Sequence, residues 1–356
     1  MAGLIYLIRH GEPAFLQGQK LCLGNRSDPP LSEEGVRQAK TLKSCFQRDE
    51  AVYCSPMVRC LQTAKYIFDR EPVKNPELAE MDMGRWDGLT FHEIRESYPE
   101  TYARRGLDWS LPASGGECLE DAARRAQKAI LGISDEEAAV VTHEGIIRAL
   151  LWKIKSIDSK AAPIPRYPYG SITVLKIESG KLTVTAEGVL PEAFPDDSEI
   201  CEILKICRTP DEVIRHCEAV CAAADELCAK LSKAGLRLSR GQLRAAAKLH
   251  DMCRTIGAGH PKAAARILRE RGYMKIAYMI EHHHDIWEND QLDEGQILFL
   301  ADKLVLGSRR VTLEERFEES LKKCRTAEAL KKHTERKEKA FRIDRKISQH
   351  LGGNVQ

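Results

Sequence analysis

The chain opens with an apolar run, Leu4-Ile5-Tyr6-Leu7-Ile8, that stops abruptly at Arg9-His10-Gly11-Glu12. So short a run, rich in β-branched and aromatic residues, predicts a buried strand; similar runs recur at 51–54, 138–142 and 171–177, with 182–185 as an edge. Between them, apolar positions return at helical spacing over 32–48, 57–68, 118–131 and 145–155. Strands alternating with amphipathic helices predict an α/β three-layer domain built on a mostly parallel sheet. A turn-rich stretch over 190–198, with Pro191 and Pro195, closes this half. Beyond it no strand pattern appears, and helices are predicted at 210–233, 241–250, 261–271, 275–283 and 295–306. The expectation is two domains, 1–195 and an all-α 196–356. Residues 331–346, dense in Lys and Arg, read as a solvated terminal helix.

Composition changes this picture little. A length of 356 residues suits two hydrophobic cores, and a net charge of +2 gives no global reason to expect nucleic acid or an acidic membrane as partner. The first residues lack the basic segment and long apolar core of a signal peptide, and no run approaches the roughly 20 apolar residues of a membrane span. The 12 cysteines show no C-x-x-C spacing. Cys217, Cys221 and Cys228 share a helical repeat with Val213, Val220, Leu227 and Leu231, so they are expected as buried core in a reducing cytoplasm.

The chemistry concentrates where strands end. Arg9-His10-Gly11 sets a cation, an imidazole and a flexible turn at the carboxyl end of a strand, where open α/β sheets bind ligands. A neutral imidazole beside a guanidinium suits nucleophilic attack on an anion, although a surface histidine after an ordinary strand is the alternative. The strand at 51–54 runs into Ser55-Pro56-Met57-Val58-Arg59, a second guanidinium at a helix start, where free N–H groups favour anions. The strand at 138–142 ends on His143-Glu144-Gly145, a second imidazole in the same design. Between them, Glu80 lies in a partly apolar loop, a setting that raises a carboxyl pKa.

With these residues in hand, the first half resembles the histidine phosphatase superfamily, of phosphoglycerate-mutase-like fold. The resemblance rests on Arg9-His10-Gly11, Gly24-Asn25-Arg26-Ser27-Asp28-Pro29-Pro30-Leu31-Ser32, and Ser55-Pro56 with Arg59 and Thr63-Ala64. It continues with Glu80 ahead of Gly84-x-Trp86-Asp87-Gly88, then Gly115-Gly116-Glu117, and His143. It implies that His10 is the nucleophile, that Glu80 is the acid and base, and that Arg9, Arg59 and His143 contact the phosphoryl oxygens. Asn25, Arg26 and Glu12 are candidates for binding phosphate or substrate, with a loop role open for Arg26. No metal or other cofactor is expected at this site. The 63 positions from Glu80 to His143 leave little room for the lid of a glycolytic mutase, so a phosphatase is expected and a mutase is the alternative. Among short members the α-ribazole-phosphate phosphatase branch is the most similar, implying a small phosphorylated sugar or nucleotide as partner.

In the second half, adjacent His250-Asp251 offers one nitrogen and one oxygen donor to a single cation. His216 lies inside the long preceding helix, and Asp302 sits in the apolar run Ile297-Leu298-Phe299-Leu300-Ala301-Asp302, where burial calls for a cation or hydrogen bonds. His216, His250, Asp251 and Asp302 together resemble the HD-domain metal-dependent phosphohydrolases. That resemblance implies one or two divalent ions (Fe, Mn, Co or Mg), His260 and His283 as second-metal ligands, and a nucleotide substrate. His282 and His284 are expected at the surface, as are Lys303 and Arg309-Arg310, for which contact with phosphates is the alternative. The whole chain is then a cytoplasmic bifunctional enzyme, or a phosphatase with a regulatory, non-catalytic HD module, and the sequence assigns no oligomeric state.

Overall fold

The computed structural model describes residues 3–15, 19–46, 50–160, 165–285 and 291–352. It forms two compact units, Met1–Pro191 with Glu270–Gly272, and Glu192–Arg269 with Tyr273–Gln356.

In the first unit, β1 (Gly3–Arg9), β2 (Ala51–Cys54), β3 (Val73–Lys74), β4 (Glu137–Thr142), β5 (Ile172–Glu178) and β6 (Lys181–Val189) form one sheet of order β3-β2-β4-β1-β5-β6. The β1, β2, β3 and β4 neighbours pair parallel, while β5 is antiparallel to β1 and β6. Leu4 to Ile8 are wholly buried because β1 sits centrally and is covered on both faces. Ile5 and Leu7 pack with Ala122, Ala126 and Ile130 of α5 (Leu119–Leu131) and Ile147 and Leu151 of α6 (Glu144–Lys155). Alternation along the strand sends Tyr6 to the other face, where its ring meets Phe46 edge-on at 5.9 Å, just beyond α1 (Glu33–Leu42). α2 (Val58–Ile67) packs beside α1, which gives the three layers.

Two short helices, α3 (Phe91–Ser97) and α4 (Pro99–Leu107), lie between β3 and α5. Neither was predicted; α4 buries no residue, so its sequence carries no apolar stripe to read. The helix expected over 32–48 starts where Ser32 accepts from the Gly35 N–H and gives way to a 3-10 turn at Lys43–Cys45. Its expected last residues, 47 and 48, lie outside the described residues.

The second unit is helical: α7 (Asp197–Ile206), α8 (Asp211–Lys233), α9 (Arg240–Leu249), α10 (His260–Glu270), α11 (Met274–Glu281), α12 (Glu294–Lys303), α13 (Leu313–Leu321) and α14 (Ala327–His350). α8 lays Cys217, Val220, Cys221, Leu227, Cys228 and Leu231 against α9 and α12, so these cysteines are core residues as their spacing predicts. The helix expected to run through 306 stops at Lys303, because β7 (Val305–Leu306) turns back at Gly307 (φ +60°) to pair with β8 (Arg309–Arg310). The terminal helix is not wholly solvated either: α14 buries Ala340, Ile343 and Ile347.

Candidate functional site

Parallel pairing brings the carboxyl ends of β1, β2 and β4 to one edge. There the His10 N–H donates to the Thr142 carbonyl at 3.0 Å, and the Ser55 N–H to the Val141 carbonyl at 2.9 Å. The His10 ring is 4% exposed. Its Nδ1 lies 2.7 Å from the Gly11 carbonyl oxygen, which only accepts, so this contact assigns the proton to Nδ1 and leaves the lone pair on Nε2. Nε2 faces the Arg59 Nε–H at 3.3 Å. Burial, then Arg59 and Arg9, hold His10 well below the ordinary imidazole value of 6.5, so the ring is neutral near pH 7.

Arg59, the second residue of α2, is fully buried and clamped: it donates to the Ser27 carbonyl at 3.0 Å, the Gly24 carbonyl at 3.2 Å and Asp28 Oδ1 at 3.3 Å. His143, at the start of α6, is fully buried, with Nε2 2.8 Å from Ser55 Oγ and its ring centre 5.1 Å from that of His10. Burial and Arg59 depress its pKa as well. The Arg9 guanidinium carbon stands 3.7 Å from the Tyr169 ring centre, and its Nη1 pairs with Glu144 Oε2 at 3.0 Å.

Glu80 is 9% exposed; its Oε1 accepts from the Met81 N–H at 2.9 Å and its Oε2 from the Gly145 N–H at 3.4 Å. Burial raises its pKa despite these donors. A Cβ on residue 145 would stand 2.3 Å from Glu80 Oε1, so glycine there lets the first turn of α6 close on the carboxyl. His10, Arg59 and Glu80 line one cavity of about 210 Å³.

The other sequence candidates lie further out. Asn25 lines a neighbouring cavity of about 370 Å³ that also touches Glu80. Arg26, with its side chain 62% exposed, pairs with Asp82 at 2.9 Å, and Glu12 accepts from the Ser32 hydroxyl at 3.2 Å beside the first turn of α1. Sequence reasoning did not single out Lys20, Arg105, Arg148, Arg166 and Tyr169, all on the wall of the His10 cavity. Arg148 follows Glu144 by four positions, so one helical face carries both, a signal readable once His143 heads a helix. Arg105 sits on α4, which no pattern revealed. Burial lowers the pKa of both guanidiniums.

In the second unit the predicted ligands converge. His216 Nε2 lies 3.3 Å from Asp302 Oδ1 and 3.9 Å from Asp251 Oδ2, while His250 Nε2 is 3.7 Å from Asp251 Oδ2 and 3.8 Å from Asp302 Oδ1. On the opposite side, Asp251 Oδ1 faces His260 Nε2 at 2.9 Å and His283 Nε2 at 3.6 Å. All four imidazoles give Nδ1 to a backbone carbonyl, of Gly307, Ala247, Gly257 and Ile280 at 2.6, 2.8, 2.8 and 2.6 Å respectively. Their Nε2 atoms, together with Asp251 Oδ1, are buried without a hydrogen-bond partner among the described residues. Five inward-facing acceptors with no donor fit a divalent cation bound by nitrogen and carboxylate oxygen.

Three residues expected at the surface lie deeper. His284 is not a surface residue: it is half-buried, and burial together with His283 lowers its pKa to about 2. His260, His283 and His284 offer ligand atoms within 4.8 Å of one another. The turn after α11 brings it in, which adjacency in sequence did not reveal. Lys303 is likewise buried, because its Nζ reaches Asp302 Oδ2 at 2.6 Å and leaves only Oδ1 toward the imidazoles. His282 is half-buried, its Nδ1 3.0 Å from the Tyr278 carbonyl.

Among known proteins, the chain is 30% identical over 206 residues to a 6-phosphofructo-2-kinase/fructose-2,6-bisphosphatase of Caenorhabditis elegans, covering 51% of this chain and 44% of that protein. It spans less than half the length of the curated relatives it matches. Solved structures similar to it include Bacillus stearothermophilus YhfR (28% identity, TM-score 0.48, 53% of this chain and 98% of that one). Another is the α-ribazole phosphatase from Shigella flexneri (24% identity, TM-score 0.45, 51% and 95%). The histidine phosphatase superfamily (branch 1) model matches residues 5–188, and the HD domain model matches residues 213–306. The chain therefore belongs to the histidine phosphatase superfamily, branch 1, and carries an HD domain after the phosphatase fold.

Proposed function

We propose that the first unit is a phosphomonoesterase working through a phosphohistidine. The observation that carries this reading is the neutral His10, whose unprotonated Nε2 faces the clamped Arg59 on the wall of a cavity that the raised-pKa carboxyl of Glu80 also lines. Nε2 attacks phosphorus and the bond to the departing oxygen breaks, that oxygen taking the proton of Glu80. The resulting carboxylate then removes a proton from the water that attacks the phosphohistidine, releasing inorganic phosphate and restoring both groups. Arg59, Arg9 and His143 hold the charge on the non-bridging oxygens during both transfers. Arg105 and Arg148 on the cavity wall favour a small metabolite bearing a second anionic group, a sugar or nucleotide phosphate of the kind named by the bisphosphatase relatives and by the α-ribazole-phosphate resemblance.

In the second unit, the orphaned acceptors support a centre for one or two divalent ions, Fe, Mn, Co or Mg, held by His216, His250, Asp251 and Asp302, with His260 and His283 on the far side of Asp251. When bound, such an ion lowers the pKa of a water and polarises a phosphoryl oxygen. The reading is a metal-dependent phosphohydrolase acting on a nucleotide, and the alternative is a regulatory module that binds metal or nucleotide without turnover.

The test uses the full chain. Turnover of p-nitrophenyl phosphate is expected to survive EDTA and to vanish in His10→Ala, and retained turnover in that variant sinks the phosphohistidine reading. The His10→Ala protein, loaded with Mn or Fe and screened on nucleotides, then isolates the second unit; metal-dependent hydrolysis rules out a purely regulatory role.

A further inference from the structure

Glu80 has no regular element to hold it. The chain from Asn75 to Asp87 makes only two 3-10 turns, Pro76–Leu78 and Gly84–Trp86, and the carboxyl lies in the irregular stretch between them. Such a segment takes its position from whatever grips it. On one side the Thr142 hydroxyl donates to the Leu78 carbonyl at 2.8 Å. The other side is gripped by an ion pair that the proposed chemistry does not use.

Arg125 projects from α5 and meets Glu117 two-pronged, Nε to Oε1 at 2.7 Å and Nη2 to Oε2 at 2.9 Å. Its remaining donors reach the Glu80 segment itself: Nη1 to the Glu77 carbonyl at 2.6 Å and Nη2 to the Glu80 carbonyl at 3.3 Å. Glu117 adds two contacts, its N–H donating to the Asp82 carbonyl at 2.7 Å and its Oε2 accepting from the Asp82 N–H at 3.4 Å. A Cβ on Gly116 would stand 2.4 Å from the Asp82 carbonyl oxygen, so the glycine lets the two loops touch backbone to backbone. The pair is largely sheltered, at 20% and 16% side-chain exposure, and both residues line the outer cavity that touches Glu80. A sheltered, bidentate guanidinium–carboxylate pair that spends its spare donors on one short irregular segment fixes that segment's main chain at three residues.

We propose that Arg125 and Glu117 are positioning residues for the Glu80 acid, holding its carboxyl at the start of α6 and facing His10 without touching substrate. This rests on Glu80 being the acid of the proposed reaction. General acids act only within hydrogen-bond reach of the departing oxygen, so loosening the segment weakens protonation of the leaving group more than it weakens binding. The signature is a leaving-group dependence. p-Nitrophenolate departs without help, whereas an alkoxide does not.

The experiment compares p-nitrophenyl phosphate with glycerol phosphate for the wild type, Arg125→Gln, Arg125→Lys, Glu117→Gln and Glu80→Gln, with exposed Arg124→Gln as control. Arg125→Gln is expected to lose about ten-fold or more in kcat/KM on glycerol phosphate beyond its loss on p-nitrophenyl phosphate, a part of the ~100-fold or greater effect of removing the acid; kcat/KM is read because hydrolysis of the phosphohistidine, common to both substrates, can limit kcat. Arg125→Lys, which keeps the charge but not the fork, falls between, and the basic limb of the pH–rate profile moves in Arg125→Gln. Equal losses on both substrates, or losses that follow melting temperature alone, overturn the proposal. Should Arg125→Gln fold poorly, Glu117→Gln keeps the shape, breaks the charge and is judged by the same ratio. A Glu80→Gln protein without leaving-group dependence overturns the reading of the acid, and the positioning role with it; dependence in Glu80→Gln but not in the Arg125 and Glu117 variants overturns the positioning role alone.

Discussion

Single residues set the working range of the phosphatase site. In the proposed reaction His10 must be neutral to attack, and its folded pKa lies below 6.5, so activity is expected to rise as pH climbs through that lowered value. As the proposed acid, Glu80 must be protonated to donate, and its pKa is raised, so activity is expected to fall as pH climbs through that value. The expected profile is a bell whose basic limb belongs to Glu80 and flattens in Glu80→Gln, read as kcat/KM against pH on glycerol phosphate. The same burial has a stability sign. His10 and His143, both depressed, bind fewer protons folded than unfolded below 6.5, so stability is full above that pH and lost as pH falls. Urea midpoints at about pH 7.5 and about pH 5.5 check it, and a higher midpoint at the acid value would contradict it. Gly145→Ala is expected to keep the fold, to displace the Glu80 carboxyl from α6, and to cut turnover by about ten-fold or more. His10, Arg59, Glu80 and His143 were legible because each ends an apolar run or interrupts one, whereas Lys20, Arg105 and Arg166 carry no pattern that separates them from surface charge.

Elements were legible in proportion to their burial. β1, β2, β4 and β5 are apolar runs because both faces of the sheet are covered, and α5 shows its stripe through Ala122, Ala126 and Ile130. β3 consists of exposed Val73 and Lys74, and α4 buries nothing, so neither leaves a periodic trace. α7 does carry Ile200 and Ile203, but its acidic first turn merges with the turn-rich stretch before it. Helix endings obey local chemistry that can be altered: α6 stops at Ser156, held in the left-handed region at φ +52°. Ser156→Gly is expected to relieve that strain and raise the unfolding free energy by roughly 1 kcal/mol, read from urea melts; an unchanged or lower value would show the serine unstrained.

At the scale of the whole molecule, the His10 constellation and the His250–Asp251 constellation occupy separate compact units, which predicts that they respond to different reagents. Chelator treatment of metal-loaded protein is expected to lower melting stability by about 2.7 kcal/mol if the ion was present at 100 times its dissociation constant, while p-nitrophenyl phosphate turnover stays unchanged. His250→Ala should reproduce the stability loss with no chelator, and parallel loss of turnover would refute the separation. The order of motifs along the chain made this division readable without coordinates. The depth of the second site was not readable, because a turn half-buries His284 and the end of α12 buries Lys303, neither of which periodicity describes.

The shared tautomer of the four imidazoles around Asp251 reaches beyond the site. With every Nδ1 proton committed to a backbone carbonyl, four Nε2 lone pairs point at one another and at a carboxylate, and a bound cation would relieve that crowding. If the centre takes a divalent ion, supply of that ion during synthesis acts on folding yield, because binding free energy is then folding free energy. Cells starved of it should yield less soluble protein, rather than the same amount of an inactive form.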